Sequence, residues 1–313
     1  GCLSERYKHN LEEEIPEVDA FFGTGELRQL LAKFKIDYKA ELVGERMLAT
    51  PKHYAYMKIS EGCNRTCAFC AIPLMRGKHT SKPIEAIVAE AEMLVQKGVK
   101  EIMLIGQELT YYGLDIYKSR ELPQLMDKLA RVPGLEWIRL HYAYPSKFPI
   151  EIIDVMKEHQ NICNYLDMPV QHASDNILKA MRRQITRRET EDLIAEIRNR
   201  IPDICLRTTL IAGFPGETDE DVEEVKQFLQ KIEFDRVGIF TYSHEENTAA
   251  YELKDNIPQE VKQQRAEDIM EVQRDISYEK NKAKEGKIFI VIVDKKESGK
   301  YLGRTEFDSV EVD

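Results

Sequence analysis

No stretch of the sequence is long and apolar enough to span a membrane. The longest apolar run, Ile288 to Val293, is strand-sized, against the roughly 18 residues that a spanning helix needs. No signal peptide opens the chain, because Lys8, Glu12, Glu13 and Glu14 interrupt any apolar region there. Cysteine is scarce. Six in 313 residues are too few for a disulfide scaffold and point to the reducing cytoplasm. Positive charge is in deficit as well: 45 Lys and Arg face 55 Asp and Glu, for a formal net charge of −10. That balance disfavours a general nucleic-acid binder and suits a basic partner. Low-complexity tracts and short internal repeats are missing. The sequence begins Gly1-Cys2-Leu3 without a methionine, which reads as a fragment of a longer protein. What is present is an apolar fraction of 42%, enough for a real core. The length predicts about two domains, or one large α/β barrel with appendages.

From about residue 53 a short strand-like run, a loop and a helix-like segment recur. The candidate strands are Tyr54–Ser60, Glu101–Gln107, Trp137–Ala143, Tyr165–Gln171, Ile204–Gly213 and Arg236–Ser243. Between them lie amphipathic stretches such as Pro83–Lys97, where Ile84, Ile87, Val88, Ala91 and Leu94 recur at helical spacing. Thr218–Ile232 carries Asp219, Glu220 and Asp221 at its start and Lys231 near its end, as a helix dipole favours. Such alternation implies parallel pairing through right-handed crossovers. Six units make a wound open sheet or an incomplete barrel, with the chemistry where strands end and loops begin. The flanks differ in character. Val18–Gly23 reads as a strand and Glu26–Lys35 as the helix after it, a piece of another α/β unit. Pro258–Glu285 reads as a long charged helix, followed by strand-like Lys287–Asp294 and Tyr301–Arg304 around a Lys-Glu-Ser-Gly turn. The predicted division is therefore 1–48, 49–285 and 286–313.

Directly after the first barrel strand comes Glu61-Gly62-Cys63-Asn64-Arg65-Thr66-Cys67-Ala68-Phe69-Cys70. Three soft thiolates fall within eight residues, on a loop that Gly62 allows to turn sharply. One reading is zinc, with His79 as the only local fourth ligand, in a non-catalytic, zinc-stapled interaction domain. A redox dithiol needs only two of the three cysteines. A 4Fe-4S cluster with three protein ligands leaves one iron open for something else to bind. Cys163 and Cys205 stand apart and read as buried small hydrophobes.

The spacing Cys-x3-Cys-x2-Cys, with Phe69 before the last cysteine and the motif at the tip of strand one, resembles the radical S-adenosylmethionine superfamily. The resemblance implies a partial (β/α)6 barrel. It also implies that Cys63, Cys67 and Cys70 bind a 4Fe-4S cluster whose open iron chelates S-adenosylmethionine, which one electron then splits to a 5′-deoxyadenosyl radical. Ile105-Gly106-Gln107-Glu108 sits where the superfamily keeps a turn that meets the cofactor's amino group. Ile211-Ala212-Gly213-Phe214-Pro215-Gly216-Glu217-Thr218 resembles the segment beside the adenine, and is also a Pro-Gly turn with a Thr218 helix cap. Gly106, Gln107, Glu108, Gln171, Arg207 and Gly213 are the candidate S-adenosylmethionine contacts.

Gly1-Cys2-Leu3-Ser4-Glu5-Arg6-Tyr7 resembles the third cysteine segment of the methylthiotransferase N-terminal domain. That implies Cys2 as one of three ligands of a second, auxiliary 4Fe-4S cluster, whose other two ligands are absent from these 313 residues. The expectation for this chain is therefore S-adenosylmethionine cleavage without methylthiolation. The C-terminal helix and β run resemble the entry to a TRAM domain. Pro73-Leu74-Met75-Arg76-Gly77-Lys78, Arg139-Leu140-His141-Tyr142-Ala143-Tyr144-Pro145 and Tyr165-Leu166-Asp167-Met168-Pro169-Val170-Gln171-His172 resemble the RimO-type, ribosomal-protein branch. That branch acts on an aspartate β-carbon of the twelfth small-subunit protein and draws electrons from a flavodoxin or ferredoxin. The alternative is the MiaB-type branch, which modifies tRNA adenosine. Residues 285–313 hold five basic and seven acidic residues, which agrees better with a basic protein substrate than with RNA.

Overall fold

The computed structural model describes residues 1–36 and 47–310. Residues 37–46 of the predicted N-terminal unit and 311–313 of the C-terminal one lie outside the described residues. Helices α1 (Cys2–Glu14) and α2 (Leu27–Lys33) come first, then β1 (Tyr54–Lys58) and β2 (Ser60–Glu61). Next follow α3 (Ile72–Arg76), β3 (Thr80–Ser81), α4 (Ile84–Gln96), β4 (Glu101–Ile105), α5 (Leu122–Ala130), β5 (Trp137–Leu140) and α6 (Glu151–Glu158). The chain continues through β6 (Ile162–Asp167), α7 (Asp175–Ala180), α8 (Arg187–Arg200), β7 (Cys205–Ala212), α9 (Asp219–Ile232) and β8 (Arg236–Thr241). It ends with α10 (Gln259–Lys282), β9 (Ile292–Glu297) and β10 (Lys300–Arg304).

The six anticipated strands form one sheet in the order β1-β4-β5-β6-β7-β8, parallel throughout. This is the partial barrel. Period-two alternation gives the sheet two faces. Ala55, Met57, Ile102, Leu104, Ile138, Leu140, Leu166, Leu206 and Leu210 turn outward, into one core with the helices. Within α4, Ile84, Ile87, Ala91 and Leu94 of the stripe read from spacing are buried together with Glu90, and Val88 is half-buried. Thr218 caps α9 through a capping box with Asp221, so the helix starts where its acidic first turn begins.

The inner face is unlike the outer. Trp137, Cys163, Tyr165 and Cys205 cluster there with Phe307, and Tyr54 and Met103 with Val310. Cys163 and Cys205 are both buried, as expected of small hydrophobes. Residues 305–310 run along this face: Glu306 O accepts from Arg139 Nη1 at 2.6 Å, and Ser309 Oγ meets His141 Nε2 at 2.9 Å. Residues 305–310 therefore cover the base of the barrel.

Two expectations change, and one segment without an expectation gains a structure. Val18–Gly23 is not a strand: among the described residues it joins no sheet, and Phe22 O is taken by the Gly1 amine at 2.6 Å. Cys2–Glu14, given no conformation from sequence, is helical with a kink at Tyr7, and β9 starts at Ile292, five residues after the predicted start at Lys287. Ile288 and Ile290 precede it with exposures of 99% and 82%. Among the described residues no helix is long and apolar enough to cross a membrane.

Candidate functional site

The cysteine loop is held from several sides. Gly62 turns it with φ +76°, and a Cβ there would lie 2.3 Å from Lys78 O. Cys63 N–H donates to Gly77 O at 3.1 Å, and Ala68 N–H to Met181 O at 2.9 Å. Ala68 O accepts from Ala250 N–H at 2.7 Å. Ala68 packs with Ile177, Met181, Phe214 and Tyr242, and Phe69 leans on the same cluster. Gly62→Ala is therefore expected to cost about 1–3 kcal/mol through backbone strain and a clash with main chain that cannot step aside. Thermal melts and iron retention of that variant, set against wild type, are the check.

Cys63, Cys67 and Cys70 open on one cavity of about 390 Å³, at the carboxyl ends of the strands. Gln107, Glu108, Gln171 and Arg207 line it too, so four of the six candidate contacts share a wall with the thiols. Gly106 and Gly213 do not line it. A Cβ on Gly106 would come 2.7 Å from Ser60 Oγ. Gly213 donates its N–H to both Glu217 carboxylate oxygens at 2.9 Å and would meet Lys262 Cγ at 2.2 Å. Both glycines serve close packing behind the strand tips. Gln171 reaches the wall from a left-handed backbone, φ +74°, with its N–H donating to Thr209 O and its carbonyl accepting from Ile211 N–H. Cys2 starts α1 and is not among the lining residues.

Several wall residues were not singled out from sequence: Arg65, His141, Tyr142, Tyr144, Asp167 and Arg183. Arg65 stands 4.0 Å from the Tyr111 ring centroid and 3.9 Å from that of Tyr144. It is ion-paired with Glu108 at 3.2 Å. Glu108 also accepts from Thr110 N–H and Oγ–H, at 2.7 and 2.6 Å, so its carboxylate positions Arg65. Asp167 takes Arg207 Nη1 at 3.0 Å and lies 3.7 Å from His141 Nδ1. Burial pushes its carboxyl up, but hydrogen bonds from His141 and Arg207 prevail and hold it below the usual range. A lowered native value adds stability above the unfolded value, and that stability drains as pH falls through the native one. Wild type is thus expected to lose stability below about pH 4. Asp167→Asn should be weaker at neutral pH with a flatter acid limb, as denaturant titrations at several pH values would read.

Burial raises the Cys63 thiol to about 11 and the Cys70 thiol in the same direction. Such thiols ionise when a metal takes the charge. The donor set fits an iron–sulfur cluster: soft sulfur, and no carboxylate but Glu108 and Asp167, both already engaged. Among the described residues no three His, Cys, Asp or Glu side chains close round a single ion. His79, the fourth ligand that zinc would need, spends Nε2 on Ser81 Oγ at 3.2 Å and lines neither cavity that the cysteines touch. For S-adenosylmethionine the wall offers Gln107, whose buried Oε1 has no partner among the described residues.

Residues 57–229 match the Radical SAM superfamily. The ribosomal protein uS12 methylthiotransferase RimO of Christiangramia forsetii is 57% identical over the whole chain, which covers 70% of that protein. Those of Flavobacterium johnsoniae and Bacteroides thetaiotaomicron are 58% and 54% identical, again over the whole chain and 72% of each relative. Among solved structures, the cobalamin-dependent S-adenosylmethionine radical enzyme OxsB aligns over 87% of this chain and 42% of its own, with TM-score 0.56 and 13% identity. Coproporphyrinogen III oxidase from Escherichia coli aligns over 77% and 57%, with TM-score 0.55 and 17% identity. These two share the barrel. With 54–58% identity along its full length, the chain belongs to the RimO family of methylthiotransferases within the radical SAM superfamily.

Proposed function

We propose that this chain is the catalytic barrel of an enzyme that methylthiolates the β-carbon of an aspartate in ribosomal protein uS12. One observation carries the reading: Cys63, Cys67 and Cys70 share a single strand-tip cavity with Gln107, Gln171 and Arg207. Cys63, Cys67 and Cys70 would hold a 4Fe-4S cluster, which when bound supplies the electron that splits S-adenosylmethionine to a 5′-deoxyadenosyl radical. The chain's own residues bind and enclose. Gln107 offers a free acceptor deep in the wall. Arg207, fixed by Asp167 and by Thr209 Oγ1 at 3.3 Å, presents a positive edge for a carboxylate. Tyr142, Tyr144 and Phe240 add apolar wall that keeps water from a radical able to take hydrogen from anything near.

Cys2 would be one ligand of an auxiliary cluster. A low-potential flavodoxin or ferredoxin in the cytoplasm would deliver electrons. The division into 1–48, 49–285 and 286–313 assigns these parts to auxiliary-cluster, radical and TRAM units. The relatives are named for a ribosomal protein, and the acidic balance of 285–313 suits so basic a partner better than tRNA. The reading is tested by reconstituting the chain anaerobically with iron and sulfide, then adding dithionite and S-adenosylmethionine. Reductant-dependent 5′-deoxyadenosine is the expected product; iron-loaded protein that forms none overturns the reading.

A further inference from the structure

Buried arginines in this barrel are matched with carboxylates, with one exception. Arg65 has Glu108 at 3.2 Å, and Arg139 has Glu101 at 2.9 Å. Arg183 is equally enclosed, at 3% exposure, yet no described carboxylate lies within ion-pair distance of it. Its guanidinium sits 4.0 Å from the Tyr144 ring centroid. Nη1–H donates to Cys67 Sγ at 3.4 Å, Nη2–H donates to Pro169 O, and Nε is buried without a partner. Tyr144 is fixed in turn, its hydroxyl donating to Arg183 O and standing 3.9 Å from Cys67 Sγ. A desolvated guanidinium held this way needs a negative charge close by. The sulfur it touches is where one would be.

We propose that Arg183 is the built-in countercharge of the cluster held by Cys63, Cys67 and Cys70, and that it sets the cluster's reduction potential. The inference rests on the cluster assignment made above. One-electron reduction by an external low-potential donor adds one negative charge to the site, with no bond made or broken in the protein. A fixed cation beside Cys67 favours the more negative, reduced form. At such range, in a partly desolvated site, a unit charge is worth an order of magnitude or more in an equilibrium. Arg183 is thus a positioning and tuning residue, whose ring platform is Tyr144.

The test is a redox titration of the reconstituted chain, followed by the paramagnetic signal of the reduced cluster, with iron and sulfide measured on each sample. Arg183→Gln is expected to keep its iron but to show a reduced-to-oxidised ratio about tenfold lower at equal poise, equivalent to ~59 mV for one electron. Arg183→Lys, which retains the charge, should stay within about threefold of wild type. If Arg183→Gln fails to load iron, the lysine variant decides: within threefold supports the proposal, and tenfold overturns it. An iron-loaded Arg183→Gln with wild-type potential also overturns it and leaves the cluster assignment standing. Wild type that takes up no iron or sulfide overturns the assignment itself, and the inference with it.

Discussion

Cys67→Ala is expected to abolish 5′-deoxyadenosine formation, a loss of more than ~10³-fold, as when one member of an interdependent catalytic set is removed. The reason is local. Cys67 shares its cavity wall with Cys63 and Cys70, and its sulfur meets both Arg183 and the Tyr144 hydroxyl. Alanine removes a ligand and also deprives Arg183 Nη1 of its sulfur partner. Iron analysis should show little bound metal in the variant, and circular dichroism should show an intact barrel, because Cys67 lies on a loop anchored through Ala68. Full activity with the alanine in place would remove the thiol triad from the chemistry.

Glu101→Ala is expected to be the most damaging substitution far from the cavity. Glu101 is fully buried at the start of β4, with Oε1 on Arg139 Nε at 2.9 Å and Oε2 on Arg304 Nη2 at 2.7 Å. Arg304 keeps Asp294 when Glu101 is lost, at 2.9 Å. Among the described residues, Arg139 keeps only the carbonyl of Glu306 and the faces of Trp137 and Tyr165. Removing one member of a buried pair strands the other charge, at about 3–5 kcal/mol. For a chain of this size that corresponds to a fall in Tm of roughly 10 °C. Calorimetry of Glu101→Ala beside Glu101→Gln is the measurement; the glutamine variant, which keeps a hydrogen-bonding head, should lose less. A melt unchanged from wild type would show that the pair is dispensable.

Why the barrel was readable and parts of the site were not has a physical explanation. A strand such as Glu101–Ile105 announces itself through its own side chains, and α9 through Thr218 and the acids after it, because period and caps are local signals. The cysteine motif is local too. Arg183 is the opposite case. Nothing in Met181-Arg182-Arg183-Gln184 separates the buried arginine from its exposed neighbour; its role comes from Cys67, 116 positions earlier. Asp167 and His141 were visible in resembling segments, but only the sheet register brings them together. Glu108 shows another limit of local signals. It stands at a strand tip, as a cofactor contact should, yet its oxygens are spent on Arg65 and Thr110. Val18–Gly23 misled because strand-like composition says nothing of whether a ladder partner exists.

The tail along the inner face also bears on how the molecule assembles. Neighbouring strands pair soon after they are made, but Arg139 meets Glu306 O across 167 positions and Tyr56 meets Val310 O across 254. During synthesis the inner face therefore stays open, with Trp137, Tyr165 and a charged pair uncovered, until residues 305–310 have been made and docked. Sealing the base is a late loop closure of large sequence separation, the kind that slows folding and leaves a partly formed species open to association.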